Sequence, residues 1–266
     1  MIKIVFSDVD GTLLDGIRGF PRVSKKNLYA ISALKEKGIL FVVASGRSKF
    51  IINEEIEEAH PDGFILCNGA NVICDSKVLL NDVLDKELID NTVEIIKKIG
   101  GTCLYENSFG LYSLKEDGWN LDDFVRKWNV PLLKVTYVDS INFPVNKIIP
   151  VFKNDSDCKK FDTIVNHKLL EVKKQKGMNA FDVNPKGINK GNGVREILKH
   201  YGISKDDACA FGDNINDMEM LENVGESVAM GNASSILKEK AKYTCEDALD
   251  DGFYKWLLKN RIIDEE

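Results

Sequence analysis

The stretch that most restricts the possible folds is the apolar run over residues 2–6, together with the acids that follow it. The run is short and rich in β-branched and aromatic side chains, which is typical of a strand buried on both faces. Asp8 and Asp10 follow it, and then Gly11, which allows a sharp turn. Because ligands of open α/β sheets bind at the carboxyl ends of the strands, this pattern predicts a site there. Two neighbouring carboxylates repel each other, so we expect a bound cation or a direct chemical role.

The same arrangement, a short apolar run that ends in a polar residue, recurs along the chain. Runs over 39–44 and 64–67 alternate with helical patterns, and runs over 208–211 and 227–230 resume the rhythm. Strands that alternate with helices predict a parallel sheet with right-handed crossovers. In such a sheet the polar residues that follow the runs would share one edge: Asp8, Ser45, Asn68, Asp213 and Asn232.

The middle of the chain follows a different pattern. A small hairpin is predicted over residues 71–80, and short strands are then mixed with helices up to residue 185. This mixture is typical of an α+β domain inserted into the first one. The expected division is a core of residues 1–81 and 186–266 and an inserted α+β domain of residues 82–185.

Composition narrows the classes of function. The chain has 266 residues, of which 44% are hydrophobic and 29% charged, as expected for a globular protein with a sizeable core. Its formal net charge is −6 and no basic stripe stands out, so nucleic acid is not an expected partner. The first residues lead directly into the predicted strand without a signal peptide, and no apolar stretch is long enough to span a bilayer. We therefore expect a soluble cytoplasmic protein with no membrane partner, and a monomer as the default.

Carboxylates are the expected catalytic groups. The cysteines and histidines show neither zinc-ligand spacing nor the arrangement of a serine or cysteine nucleophile with its base. Asp213 ends another predicted strand, and with Asp8 and Asp10 it would form a hard oxygen site of the kind that holds Mg²⁺. Simpler interpretations stay open at this point, since Asp10-Gly11 is also an ordinary turn signal and Asp217 is also a suitable helix cap.

Two further segments are typical of phosphate binding. Lys190 opens a predicted helix, where its charge opposes the helix dipole, so a lysine directed inward at a phosphate explains the placement. Ser45-Gly46 offers a hydroxyl and backbone N–H groups at a strand end, which suits phosphate oxygens. A solvated surface lysine and an ordinary turn remain the alternatives.

Four motifs in this order resemble those of the haloacid dehalogenase superfamily phosphatases. They are Asp8-Val9-Asp10-Gly11-Thr12-Leu13, Ser45-Gly46-Arg47, Lys190-Gly191 and Gly212-Asp213-Asn214-Ile215-Asn216-Asp217. The large insert and the segment Asn68-Gly69-Ala70 are similar to the Cof-like branch, which carries a class IIB α+β cap. The resemblance implies an α/β fold, with a Rossmann-like parallel-sheet core and an inserted α+β cap that selects the substrate.

The resemblance also implies a role for each matching residue. Asp8 would be the nucleophile that takes the phosphoryl group, and Asp10 would be the general acid and then the general base. Asp8, the backbone carbonyl of Asp10 and Asp213 would hold Mg²⁺. The groups expected to hold the transferring phosphate are Ser45, the amides of Gly46 and Val9, Lys190 and Asn216. Asp217 would orient Lys190 or a metal-bound water, and Arg47 would reach the leaving group or the cap.

We therefore expect a Mg²⁺-dependent phosphomonoester hydrolase that acts on a small phosphorylated metabolite, such as a sugar phosphate, through an aspartyl-phosphate. A phosphomutase or phosphotransferase would share every motif, and a phospho-accepting signalling receiver or an inactive binding protein is a more distant alternative. The patterns do not specify the substrate. They also leave open which of four residues of the insert faces the cleft: Lys173, Lys174, Lys176 or Asn179.

Overall fold

The computed structural model describes residues 1–52, 54–117, 119–128, 134–175 and 177–265. The strands of this part of the chain are β1 (Ile4–Ser7), β2 (Leu40–Ala44), β3 (Gly63–Leu66), β4 (Asn71–Cys74), β5 (Lys77–Asn81), β6 (Thr102–Asn107), β7 (Gly110–Leu114), β8 (Thr136–Val138), β9 (Lys147–Val151), β10 (Leu170–Lys174), β11 (Phe181–Pro185), β12 (Ala208–Gly212), β13 (Glu226–Ala229) and β14 (Tyr243–Thr244). Its α-helices are α1 (Lys25–Glu36), α2 (Glu54–Glu58), α3 (Lys86–Ile99), α4 (Asp122–Val125), α5 (Asp155–Ile164), α6 (Lys190–Tyr201), α7 (Met218–Glu222), α8 (Ser235–Lys240) and α9 (Gly252–Lys259). None of these helices has both the length and the apolar character that a membrane crossing requires.

The first sheet has eight strands in the order β14-β13-β12-β1-β2-β3-β4-β5. The six strands from β14 to β3 are parallel, which confirms the predicted parallel sheet. β1 lies at its centre between β2 and β12, and every residue of β1 is buried. The predicted hairpin, β4 and β5, extends the sheet in the antiparallel direction. The carboxyl ends of the parallel strands therefore meet at one edge.

Helix α6 is fixed closely against this sheet. The side chain of Asn189 caps its first turn by accepting the N–H of Asn192, and the helix ends at Gly202 in a left-handed conformation. Gly193 faces β3, where a Cβ atom would come within 2.5 Å of the Ile65 side chain. The close approach and the cap together set the direction in which the side chain of Lys190, the first helical residue, leaves the helix.

The second sheet has six strands in the order β10-β11-β9-β6-β7-β8, and all of them come from the middle of the chain. Its pairs are antiparallel apart from β7 with β8. A separate hydrophobic cluster packs between this sheet and helices α3 and α5, with Phe152, Phe161 and Phe181 in mutual ring contact. The division of the chain into domains at residues 81/82 and 185/186 stays a prediction.

The turn after β3 has an unusual backbone. Cys67, Asn68 and Gly69 have φ angles of 51°, 58° and 104°. Residues other than glycine adopt such positive φ angles only at an energetic cost. At Gly69 an added Cβ would come within 2.1 Å of the carbonyl oxygen of Asn189, the capping residue of α6. The turn and the start of α6 are therefore in tight backbone contact.

We expect Gly69→Ala to lower the free energy of unfolding by about 3 kcal/mol, because it adds a steric clash to the cost of a left-handed residue. Gly38→Ala is the matched control, since Gly38 also has a positive φ but has open space where its Cβ would lie. That variant should cost only about 1 kcal/mol. Urea unfolding of both variants tests this, and equal losses would contradict a tight contact at Gly69.

Candidate active site

A buried lysine joins two carboxylates at the carboxyl edge of the first sheet. The ammonium of Lys190 donates to Oδ1 of Asp8 and to Oδ1 of Asp217, each at 2.6 Å. The other oxygen of Asp217 accepts the backbone N–H groups of Asp213 and Asn214, each at 3.0 Å. The side chain of Lys190 is 0% exposed. The alternative of a solvated surface lysine is therefore wrong.

Three carboxylates converge beside that ammonium. One oxygen from each of Asp8, Asp213 and Asp217 lies within 4.8 Å of the other two. Gly11 makes room for Asp213, because a Cβ at this position would come within 2.3 Å of the Asp213 carboxylate. Closely spaced carboxylate oxygens are the ligands that a hard divalent cation such as Mg²⁺ prefers. The donor set, which Gly11 lets Asp213 join, therefore fits a cation beside Asp8 and Asp213.

The charges of this cluster also favour a bound cation. Burial raises the pKa of Asp8 well above its usual range, and the carboxylate of Asp217 raises it further, while Lys190 acts in the opposite direction. Burial also acts to lower the pKa of Lys190, but Asp217 and Asp8 outweigh it and the pKa is raised. The ammonium therefore stays charged, yet it is one positive charge among three carboxylates. A further positive charge would favour the ionised form of Asp8.

Asp10 is held by an arginine on its other side. Arg47 donates from Nε to Oδ2 of Asp10 at 2.8 Å and from Nη2 to Oδ1 at 2.7 Å, a two-point contact with fixed geometry. The carboxylate of Asp10 is 49% exposed, whereas the Arg47 side chain is 12% exposed. The backbone N–H of Arg47 donates to the hydroxyl of Ser45 at 3.1 Å. Arg47 thus fixes a carboxylate that faces open space beside Asp8.

A cavity of about 280 Å³ lies over this edge, between the first sheet and residues of the middle segment. Several residues singled out from the sequence line it: Asp8, Asp10, Gly46, Arg47, Asp213 and Asn216. Others are buried in the protein next to them in sequence or in space: Val9, Ser45, Lys190 and Asp217. The structure therefore brings all the predicted site residues to one region, with Asp8, Asp10 and Asp213 at the cavity surface and Lys190 and Asp217 behind them.

Residues that the sequence patterns did not single out close the cavity from the other side. From the middle segment these are Lys127, Lys147, Gln175, Met178 and Asp182. Lys173 and Lys174 also line the cavity, Asn179 does not line it and donates to the carbonyl of Lys153, and Lys176 lies outside the described residues. A signal existed for Lys147, because a lysine begins an otherwise apolar strand that is buried along its whole length, and a buried lysine requires a charged partner.

Asn68 links the two walls of the cavity. Its side-chain oxygen accepts from Nδ2 of Asn216 at 3.1 Å, and its Nδ2 donates to Oδ2 of Asp182 at 3.2 Å. Asn68 also faces the side-chain oxygen of Asn184 at 3.4 Å, and Asn184 itself donates to the carbonyl of Cys67. The left-handed turn after β3 therefore places one amide between the first sheet and strand β11.

The fold and the site together describe an α/β protein that gathers carboxylates and a buried lysine at the carboxyl edge of a parallel sheet. The family model described as haloacid dehalogenase-like hydrolase matches residues 5–257, and the chain belongs to that family.

Similar proteins agree with this assignment. The chain is 27% identical over 278 residues to a 5-amino-6-(5-phospho-D-ribitylamino)uracil phosphatase of Bacillus subtilis (strain 168), with 97% of this chain and 96% of the relative covered. It is 26% identical over 257 residues to an HMP-PP phosphatase of Yersinia pseudotuberculosis serotype I (strain IP32953), with 90% and 88% covered. The solved structure of the haloacid dehalogenase subclass IIB sugar phosphatase BT4131 matches with a TM-score of 0.84 at 26% identity, covering 98% of this chain and 100% of that one. The predicted resemblance, the predicted fold class and the prediction of a phosphatase are confirmed.

Proposed function

We propose that this chain is a Mg²⁺-dependent phosphomonoester hydrolase that transfers the phosphoryl group of a small metabolite first to Asp8 and then to water. The observation that carries the proposal is the buried ammonium of Lys190, held between Asp8 and Asp217 beside Asp213. A phosphate dianion approaches carboxylates only where positive charge offsets them. A fixed, desolvated ammonium supplies positive charge where negative charge develops on the transferring phosphoryl group.

The residues that would hold Mg²⁺ are Asp8, Asp213 and the backbone carbonyl of Asp10. When bound, the ion would offset the carboxylate charge and polarise the phosphoryl oxygens. Asp217 is already engaged with Lys190 and with two backbone N–H groups. Its proposed role is therefore to orient the lysine.

In the first step a carboxylate oxygen of Asp8 attacks the phosphorus, and the bond from phosphorus to the leaving oxygen breaks. Asp10 gives its proton to that oxygen, so the leaving group departs as a neutral alcohol. The groups that would hold the phosphoryl oxygens are Ser45, the amides of Gly46 and Val9, Lys190 and Asn216.

In the second step water attacks the phosphorus of the aspartyl-phosphate, and the bond to Asp8 breaks. Asp10 takes a proton from that water and is again protonated, as at the start. Inorganic phosphate then leaves. The two-point contact with Arg47 fits the ionised form of Asp10, which takes the proton from water. In the protonated form, the oxygen that carries the proton would give up its hydrogen bond from Arg47, and the other oxygen would keep the carboxyl group in position.

We further propose that residues 82–185 form a cap that contacts the leaving group. Lys173, Lys174, Gln175 and Met178 of this segment line the cavity opposite the carboxylates. A cavity of about 280 Å³ suits a small leaving group. The relatives named as phosphatases of a phosphoribitylamino-uracil and of HMP-PP support a small phosphorylated metabolite as the substrate class.

The test is hydrolysis of p-nitrophenyl phosphate with Mg²⁺ and with EDTA. We expect Mg²⁺ to raise the rate at least about 100-fold, since a bound cation contributes several kcal/mol to stabilising the developing charge. Inorganic phosphate should appear in the same amount as p-nitrophenol. Equal rates in EDTA would contradict the metal requirement. The assay is repeated with a sugar added as acceptor. If less inorganic phosphate than p-nitrophenol appears only in the presence of the sugar, the phosphotransferase alternative is favoured.

A further inference from the structure

The proposed mechanism does not use a buried charged pair of the second sheet, one member of which, Lys147, borders the cavity. Glu106 and Lys147 are register partners on the antiparallel strands β6 and β9, and Nζ of Lys147 lies 2.8 Å from Oε2 of Glu106. Their side chains are 0% and 4% exposed. Removing two charges from water costs more than a pair usually returns, unless the remaining hydrogen-bonding capacity is used as well. The other groups that Glu106 and Lys147 contact therefore indicate what the pair does in the structure.

One of those groups belongs to Asp182 of β11, whose Oδ1 lies 3.3 Å from Nζ of Lys147. The others belong to the loop that follows β2. The ammonium of Lys147 donates to the carbonyl oxygen of Gly46 at 2.6 Å, and Oε1 of Glu106 accepts the N–H of Ser48 at 2.7 Å. The Gly46 carbonyl and the Ser48 N–H belong to the two peptide groups on either side of Arg47. The pair thus holds the backbone of Arg47 from both directions.

The side chain of Arg47 carries this constraint to the site. Burial acts to lower the pKa of its guanidinium, but the carboxylate of Asp10 outweighs that effect and the pKa is raised. The guanidinium is therefore a permanent cation, bound to Asp10 at two points and to the carbonyl of Ile51 at 3.2 Å. Because this contact is planar and bidentate, a shift of the Arg47 backbone would move the Asp10 carboxyl group.

We propose that Glu106 and Lys147 are positioning residues that set the place of the proton donor Asp10 through the loop and Arg47. This inference rests on the proposed function, in which Asp10 protonates the leaving oxygen. It gives the second sheet a role besides any contact with the substrate. The sheet must contact the loop after β2 for Asp10 to lie where it can protonate the leaving oxygen. Misplacing a general acid by a fraction of an ångström is costly because proton transfer requires hydrogen-bond reach.

The experiment uses the double variant Glu106→Leu/Lys147→Met, which removes both charges and both contacts to the loop while keeping similar volume. Replacing a buried ion pair by apolar residues is often tolerated. Asp182 loses its contact with Lys147 but still accepts hydrogen bonds from Asn68 and Gln175, so this variant is expected to fold. Two esters are compared, p-nitrophenyl phosphate and phenyl phosphate. Phenolate is much the poorer leaving group and depends more on protonation. We expect the ratio of kcat/KM for the nitrophenyl ester to that for the phenyl ester to rise at least about tenfold.

A second readout does not depend on activity. Amide hydrogen exchange of the peptide that covers residues 45–48 should speed up at least about tenfold in the double variant, because the N–H of Ser48 loses its acceptor. Lys97→Met is the control, since it breaks ion pairs of the same segment that run to Glu116 and Asp117. It should change neither readout.

The outcomes separate the two proposals. An active wild-type protein whose double variant keeps the wild-type ratio would overturn the positioning role, whether or not exchange changes. Unchanged exchange in the loop would overturn it as well. A wild-type protein that hydrolyses neither ester with Mg²⁺ would instead overturn the proposed function.

Discussion

Asp8→Asn should abolish turnover of p-nitrophenyl phosphate, with a loss of at least about 10⁴-fold in kcat, comparable to removing a nucleophile in other covalent mechanisms. The amide keeps the size of the side chain but offers no anionic oxygen to attack phosphorus. The protein should stay folded without metal, because the substitution removes one of three clustered carboxylates and leaves Lys190 paired with Asp217. Steady-state kinetics and thermal unfolding in EDTA measure both effects.

The effect of Mg²⁺ on thermal unfolding is a second measurement on the same variant. A cation that binds the folded state stabilises it by about 2.7 kcal/mol at a concentration about 100 times its Kd. Mg²⁺ should therefore raise the Tm of the wild-type protein, and raise it less in Asp8→Asn, which has lost one carboxylate of the proposed site. Asp207→Asn is the control, because Asp207 pairs with Lys3 just before β12, at the opposite edge of the sheet. Residual turnover within about tenfold of wild type would rule out Asp8 as the nucleophile.

Much of the first sheet and of the acidic site could be predicted because each signal is local in the sequence. The apolar run that becomes β1 and the acids after it are adjacent, and the same holds for β2 with Ser45 and for β12 with Asp213. Parallel strands share a carboxyl edge, so the topology alone brings those residues together. The inward direction of Lys190 could be predicted because a positive charge at the start of a helix opposes the helix dipole.

The contacts that depend on register and on packing between the sheets could not be predicted. Glu106 and Lys147 are separated by many residues, and only the pairing of β6 with β9 makes them neighbours. The bidentate contact between Asp10 and Arg47 depends on how two loops meet. The left-handed conformation of Asn68 has no strong local signal either, although asparagine tolerates it better than most residues. These features are tertiary, so spacing along the chain does not reveal them.

Lys190→Met should cost both activity and stability. The variant leaves Asp8 and Asp217 facing each other without the ammonium that lies 2.6 Å from each. Breaking a buried pair by removing one partner typically costs about 3–5 kcal/mol, because an uncompensated buried charge remains. We expect a loss of this size in urea unfolding in EDTA, and a fall in kcat of at least about 10³-fold, since a preorganised charge at the transferring group is lost.

A fall in activity alone would not separate the two effects, but the double variant Lys190→Met/Asp217→Asn does. The second substitution removes the carboxylate whose charge the lysine balances, and asparagine keeps a side-chain oxygen to accept the N–H groups of Asp213 and Asn214. Most of the lost stability should therefore return. Activity should not return, because the ammonium beside Asp8 is still missing. If turnover recovers together with the stability, Lys190 only balances charge in the fold; if stability recovers alone, the lysine acts on the phosphoryl group itself.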